Sequence, residues 1–217
     1  MCTIRMVYEQ QLYMYTHRTH KINDRIISIS QLHVRPIVRG KVTADTEFGA
    51  KVAISIVDGY AYVETLSWDA FNEGITLKES VEYYRQKYGC YPEAVLADKI
   101  YRNRENLRYC EQYSIRLSGL RLGRPLVDKV LQKEQKRLER QDASERNAVE
   151  GKFGEAKRRY GLARIMARLK ETAESVICLQ FLVMNLEHRL RVLLFYFLRY
   201  LFRSNLAFGR PSLWCFS

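Results

Sequence analysis

The chain has 217 residues, 47% of them apolar, and a formal net charge of +12. Such a composition excludes a disordered chain, and the length suits one domain with a sizeable core and an appendage. The excess of cations favours a polyanionic partner, nucleic acid first and anionic membrane second.

Residues 1–25 are polar, aromatic and basic without a clear period and read as a solvated basic arm. His17 and His20 lack the neighbouring cysteines or carboxylates that would complete a metal site. Ile26 to Val38 reads as extended, with Pro36 arguing against a central strand. From Ala50 to Val57 the chain alternates, Val52, Ile54 and Ile56 against Lys51, Ala53 and Ser55, as a half-buried strand does. Asp58-Gly59 is a hairpin turn signal, and Tyr60 to Trp68 supplies the returning strand. Asp58 is occupied by the turn, and Asp69 has no partner motif.

Leu77, Val81, Tyr84 and Tyr88 recur at helical spacing up to Gly89, a stripe that core packing explains. Ala94 to Ala97 is a short apolar strand, and Asp98 follows at its carboxyl end, where ligands gather in crossover sheets and where an Asp equally caps the next turn. Asn103 opens a helix through Tyr113, and Ser114 to Ser118 fits a further strand. Arg121 and Arg124 stand among Gly119, Gly123 and Pro125 in a basic loop suited to a phosphate backbone, although turn chemistry alone explains its Gly and Pro. Lys129 to Arg140 is a charged, exposed helix. Val176 to Phe202 is strongly apolar, but Asn185, Glu187, His188, Arg189, Arg191 and Arg199 interrupt it, so a packed helix is expected rather than a membrane span. Cys2, Cys90, Cys110, Cys178 and Cys215 are scattered, with no Cys-x2-Cys pair, which argues against a zinc ribbon and fits reduced cytosolic thiols. The amino terminus shows no signal peptide.

The densest chemistry lies in Glu145 to Gly161. Asp142 with Glu145 resembles a capping box, and Gly161 fits a helix stop. On the helix between them Arg146, Glu150 and Lys157 fall on one face, with Val149 and Phe153 beside them to seat it. A carboxylate among fixed cations suits phosphodiester chemistry, and the same spacing also describes a solvated face with weak ion pairs.

Arg146-x3-Glu150-x6-Lys157 resembles the carboxy-terminal signature Tyr-x2-Arg-x3-Glu-x6-Lys of bacterial insertion-sequence transposases of the DDE type, with Ala143 at the Tyr position. Phe153-Gly154 to Tyr160-Gly161-Leu162 is similar to the same family, and Val95 to Tyr101 is similar to its segment bearing the second catalytic Asp. The resemblance runs from about Ile26 to Arg191. It implies an α/β, ribonuclease H-like mixed sheet with flanking helices, amino-terminally truncated and followed by a long carboxy-terminal helix. The implied organisation is a basic arm over 1–25, a partial catalytic domain over 26–191 and an apolar helix and tail over 192–217. It implies cut-and-join transposition of an insertion sequence on double-stranded DNA by two Mg²⁺ ions. Asp98 and Glu150 would be catalytic and metal-binding, and Arg146 and Lys157 would contact phosphate, joined by Arg121 and Arg124 of the basic loop. No residue ahead of Ile26 matches the family's first Asp, so the chain is expected to be catalytically incomplete. The implied setting is the bacterial cytoplasm beside the nucleoid, with a second copy or a full-length transposase as partner and no membrane. A basic DNA-binding remnant without catalysis is the alternative, and a membrane-held basic protein a further one.

Overall fold

The computed structural model describes residues 3–38, 46–119 and 129–208. Helix α1 (Thr3–Thr16) opens the chain. The arm expected over residues 1–25 is thus helical for most of its length, and it is tied down: Gln10 and Met14 are buried. The Gln10 amide donates to the Ile26 carbonyl at 3.0 Å and accepts from the Ile26 N–H at 2.8 Å. With one polar and one apolar residue as its inner contacts, α1 carries no readable hydrophobic period.

Strands β1 (Pro36–Val38) and β2 (Thr46–Phe48) form an antiparallel pair, with Pro36 at a strand start, where its missing N–H matters least. Strands β3 (Lys51–Val57) and β4 (Tyr60–Ser67) form the hairpin announced by Asp58-Gly59. Both turn residues have positive φ, 52° and 81°, as a tight hairpin of right-twisted strands requires. Gly59 is constrained twice over, because a Cβ there would lie 2.7 Å from the His188 ring.

Helix α2 (Leu77–Tyr88) buries Leu77 and Val81 and ends on Gly89 in the left-handed region. Tyr84 and Tyr88, the other half of its stripe, meet each other with tilted rings 4.5 Å apart instead of joining the core. Strand β5 (Ala94–Val95) runs parallel to β6 (Arg116–Leu117), linked by α3 (Arg104–Gln112), whose first turn is capped by the Asn103 side chain. Leu77, Val81, Cys110 and Ile115 form the core of this half. Burial raises the Cys110 thiol above its usual pKa.

Helix α4 (Lys129–Arg159) is one uninterrupted element of 31 residues. The expected helix start at Asp142 is therefore corrected. Asp142 lies mid-helix, 5% exposed, and accepts a bidentate pair from Arg116 at 2.5 and 3.0 Å. Its carboxylate serves a long-range ion pair between β6 and α4, which no local capping rule foresees. Gly161, with φ of 79°, ends the helix as expected.

Helix α5 (Lys170–Phe208) passes through residue 192 without a break. Ala173, Ile177, Phe181 and Met184 are buried along one face, the last three among Ala61, Ala156 and Phe153 and Ala173 beside Val34 and Trp68. Each of the larger side chains contributes about 1.5–3 kcal/mol by leaving water. The Asn185 amide brackets Ala61, accepting from its N–H and donating to its carbonyl. Among the described residues no helix is long and apolar enough to cross a membrane.

The class is mixed α/β, as expected, but the described strands pair as three separate two-stranded ladders, not as one sheet. Among the described residues β3 bonds only to β4, and β5 only to β6.

Candidate DNA-processing site

Asp98 leaves β5 in extended conformation, and its side chain accepts the Lys99 N–H at 2.7 Å, capping the short 3-10 turn Lys99–Tyr101. It also accepts from the Arg146 guanidinium at 3.4 Å, a long contact between side chains that are 69% and 39% exposed. Both roles weighed for Asp98, turn cap and site carboxylate, are thus compatible with its position.

Arg146, Glu150 and Lys157 lie on one face of α4, as their spacing requires, because all three border the same cleft. Phe153 on the neighbouring face seats the helix, meeting the Phe181 ring edge-on at 6.2 Å. The cleft, about 1540 Å³, is also bordered by Asp98. Asp98 and Glu150 therefore approach from a strand end and a helix face toward one space, with Arg146 one turn before Glu150 reaching across to Asp98. Among the described residues Glu150 and Lys157 carry no ion pair, so both remain available to a ligand.

The rest of the lining locates the cleft in the fold. Residues 52–57 of β3 form one wall and 94–98 the other, α2 and α4 contribute side chains between them, and β6 contributes none. Three further carboxylates border the space, Glu64, Glu73 and Glu145. Glu64 is the extra residue of a β-bulge, where the pairing passes from Ala53↔Thr65 to Ile54↔Val63. Bulges re-aim side chains, and the Ser55 hydroxyl donates to the Glu64 carboxylate at 2.5 Å. Glu73 pairs with Lys51 at 3.0 Å. Tyr101 senses this surplus of acid: burial raises its hydroxyl pKa most, and the charges of Glu73, Asp98 and Glu64 add to it. A charged residue in the middle of a strand otherwise rich in Tyr, Val and Thr is the sequence signal that would have singled out Glu64.

The donor chemistry suits a hard cation such as Mg²⁺, which takes carboxylate oxygens and keeps several waters. However, no group of three His, Cys, Asp or Glu side chains among the described residues could hold a metal ion. Asp58 stays in its hairpin turn, and Asp69, beyond the end of β4, does not border the cleft. Arg121 and Arg124 lie outside the described residues.

Residues 95–187 match the family model of the transposase DDE domain. This part of the chain is similar to that family. The DDE match begins in β5 and ends within α5, so it holds Asp98, Arg146, Glu150 and Lys157 and leaves the β3–β4 hairpin outside it. No curated protein and no solved structure matches the chain.

Proposed function

We propose that the chain handles double-stranded DNA as part of a DDE transposase acting in cut-and-join transposition of an insertion sequence. In this reading Asp98 and Glu150 are two of the catalytic carboxylates, and Arg146 and Lys157 are phosphate contacts beside them. The processing unit spans residues 26–191, with 1–25 and 192–217 as appendages. The observation that carries the reading is the gathering of all four side chains on one cleft, within the segment of the family match. Mg²⁺ at such a site supplies stabilisation of the charge on the attacking and leaving oxygens of a phosphodiester. The chain's own residues do the rest. Glu150 and Asp98 present hard oxygens, and Lys157 holds the backbone of the cut strand. Arg146, whose hold on Asp98 is long and exposed, exchanges that carboxylate for a phosphate.

The cleft also supports the view that the chain by itself is catalytically incomplete. Its two walls are residues 52–57 and 94–98, and among the described residues β3 pairs with β4 alone and β5 with β6 alone. With strands about 4.8 Å apart, layers about 10 Å apart and a rise of about 3.3 Å, an added strand fills roughly 160 Å³ per residue. The cleft thus has room for about nine such residues. An extended segment bearing a further carboxylate would bond to both open edges and complete the acidic set. Without it, two carboxylates hold one hydrated Mg²⁺ weakly.

The test is cleavage of DNA carrying the element's own ends, with Mg²⁺ or Mn²⁺, comparing the wild type with Glu150→Gln. The expected result is no cleavage by this chain, and cleavage restored when a longer reading frame supplies the strand. Robust cleavage by this chain, abolished by Glu150→Gln, would show that it is complete, with Glu64 as the first carboxylate to substitute next. A second reading, a basic DNA-binding remnant without catalysis, is favoured by the engagement of Asp98 with Lys99 and Arg146. Mn²⁺ binding followed by water-proton relaxation separates the two. Binding lost in Asp98→Asn and Glu150→Gln supports the catalytic site, whereas no binding in the wild type supports the remnant.

A further inference from the structure

Asn106 of α3 is 1% exposed, the most deeply buried polar residue among those described. Its Nδ2 donates to the Tyr101 carbonyl at 2.8 Å, at the end of the 3-10 turn that Asp98 caps. The same Nδ2 donates to the Gly74 carbonyl at 2.6 Å. Gly74 belongs to a second 3-10 turn, Glu73–Ile75, and the Asn103 amide adds a bond to its carbonyl at 3.1 Å. One amide therefore ties two turns together, one capped by Asp98 and one opening with Glu73, and both of these carboxylates border the cleft. The turns are in close contact, since a Cβ at Gly74 would lie 2.5 Å from the Ile100 carbonyl oxygen. On the other side of Asp98, the Ser118 hydroxyl accepts the Ala97 N–H at 3.0 Å and donates to the Ala97 carbonyl at 3.2 Å.

We infer that Asn106 is a positioning residue, which locks the two turns together and so fixes where the Asp98 carboxylate stands in the cleft relative to Glu73. The inference rests on the reading of Asp98 as a site carboxylate. Three arguments carry it. The first is the cost of the place: α3 turns Asn106 inward together with Cys110, toward a core of Leu77, Val81 and Ile115. A leucine would fill such a position without the expense of burying an amide, but it could not bond to either turn. The second is geometry. Both acceptors are carbonyls, so the NH₂ must face them, and its two N–H bonds diverge in one plane at a fixed angle. The acceptors are thereby held at one separation. The third is the shortness of the turn. The Tyr101 and Arg102 N–H groups bond to the Asp98 and Lys99 carbonyls, each at 3.0 Å, and the Asp98 side chain takes the Lys99 N–H at 2.7 Å. A displacement of Tyr101 therefore passes directly to Asp98.

Amide-proton NMR of the full chain, with Mn²⁺ affinity from water-proton relaxation, tests this. A carboxylate acceptor moves an amide proton downfield, so the Lys99 N–H resonance reports the place of Asp98, and Asp98→Ala marks its unbonded position. Asn106→Ala is expected to move this resonance toward the Asp98→Ala position and to raise the Mn²⁺ dissociation constant about tenfold or more, as losing a group that orients a metal ligand does. Cys110→Ala removes core packing on the same face of α3 without touching the amide, and it should change neither. Gly74→Ala serves as a second variant should Asn106→Ala fail to fold: it crowds the Ile100 carbonyl, pries the turns apart with Asn106 intact, and should move the Lys99 resonance in the same direction. A resonance that stays at its wild-type position in folded Asn106→Ala or in Gly74→Ala would overturn the inference. So would changes of equal size in Cys110→Ala, which would mark general loosening. A moved resonance with unaltered Mn²⁺ affinity would break the link between the turn and the site. A wild type that binds no Mn²⁺ would instead remove the catalytic reading of Asp98, and the Lys99 resonance would then decide by itself whether Asn106 sets the turn.

Discussion

Asp142 shows how a single side chain can be read correctly as polar and placed wrongly. The pattern Asp-x2-Glu carries the marks of a helix start, but the carboxylate is claimed by Arg116, distant in sequence and adjacent in space. The hydrogen bond from Arg116 is the chief cause of that guanidinium's raised pKa. Because Asp142 is buried and Arg116 half exposed, Arg116→Ala should cost about 1–3 kcal/mol, the penalty for a buried charge that loses its partner, and Asp142→Ala should cost less, because water reaches the guanidinium left behind. Urea unfolding of Asp142→Ala, Arg116→Ala and the double variant measures the coupling. An additive result would show that the pair contributes nothing. Glu155 offers a pH-dependent counterpart. Burial opposes its ionisation, but Arg191 and Lys152 outweigh burial and hold its pKa below the usual carboxylate value. A carboxylate depressed in the folded state contributes stability above its unfolded pKa, and that contribution is lost as the pH falls through the folded pKa. Acidification through the carboxylate range should therefore loosen the α4–α5 contact. Arg191→Ala should flatten the dependence of the unfolding midpoint on pH in that window.

At the scale of elements, the periodic segments were the legible ones. The β3–β4 hairpin, the helix opened by Asn103 and the Arg146–Glu150–Lys157 face all follow from local rules, because their residues are judged by neighbours within one turn or one strand. Helix α1 was illegible, since Gln10 takes part in its docking and no apolar period marks it. The continuity of α4 was also hidden, because a helix start and a mid-helix ion pair present the same residues. Two glycines in this helix separate stability from function. A Cβ added at Gly151 would meet nothing within 4 Å, and this residue does not border the cleft, whereas Gly154 borders it. Each costs the helix up to about 1 kcal/mol relative to Ala. Gly151→Ala should stabilise the protein with DNA affinity unchanged. Gly154→Ala should stabilise it comparably and weaken DNA binding, if the missing side chain is what lets a phosphate backbone approach α4. Equal affinity in both variants would remove Gly154 from the interface.

For the whole molecule, the +12 charge sets the first expectation. Duplex binding should weaken steeply between about 50 and 200 mM salt as counterions are released, and Lys157→Ala should make the slope shallower by about one unit. A salt-independent affinity measured by fluorescence anisotropy would argue against phosphate contacts. Stability rests on the cluster that α5 shares with the hairpin and α4. Phe181→Ala, at a position 2% exposed, should cost about 3–5 kcal/mol in chemical denaturation. The α/β class and the positions of the acidic and basic residues were open to sequence reading. The separation of the strands into three ladders was not, because strand pairing depends on which edges meet, and β5 and β6 supply only two residues each.

Helix α4 is fastened at successive levels: Asp142 to β6, Arg146 to Asp98, and Phe153 with Ala156 to the hairpin and α5. An α-helix advances by about 100° for each residue, so these fastenings agree only for one exact count of residues between them. The helix behaves as a gauge whose graduations cannot slide. Removing one residue between Asp142 and Phe153 would turn one end by more than a quarter circle, and either the ion pair with Arg116 or the seat of Phe153 would have to be abandoned. Point substitutions along its outer face can accumulate freely, while the number of residues between the fastenings is held fixed by geometry, and with it the distance from the end of β5 to Glu150.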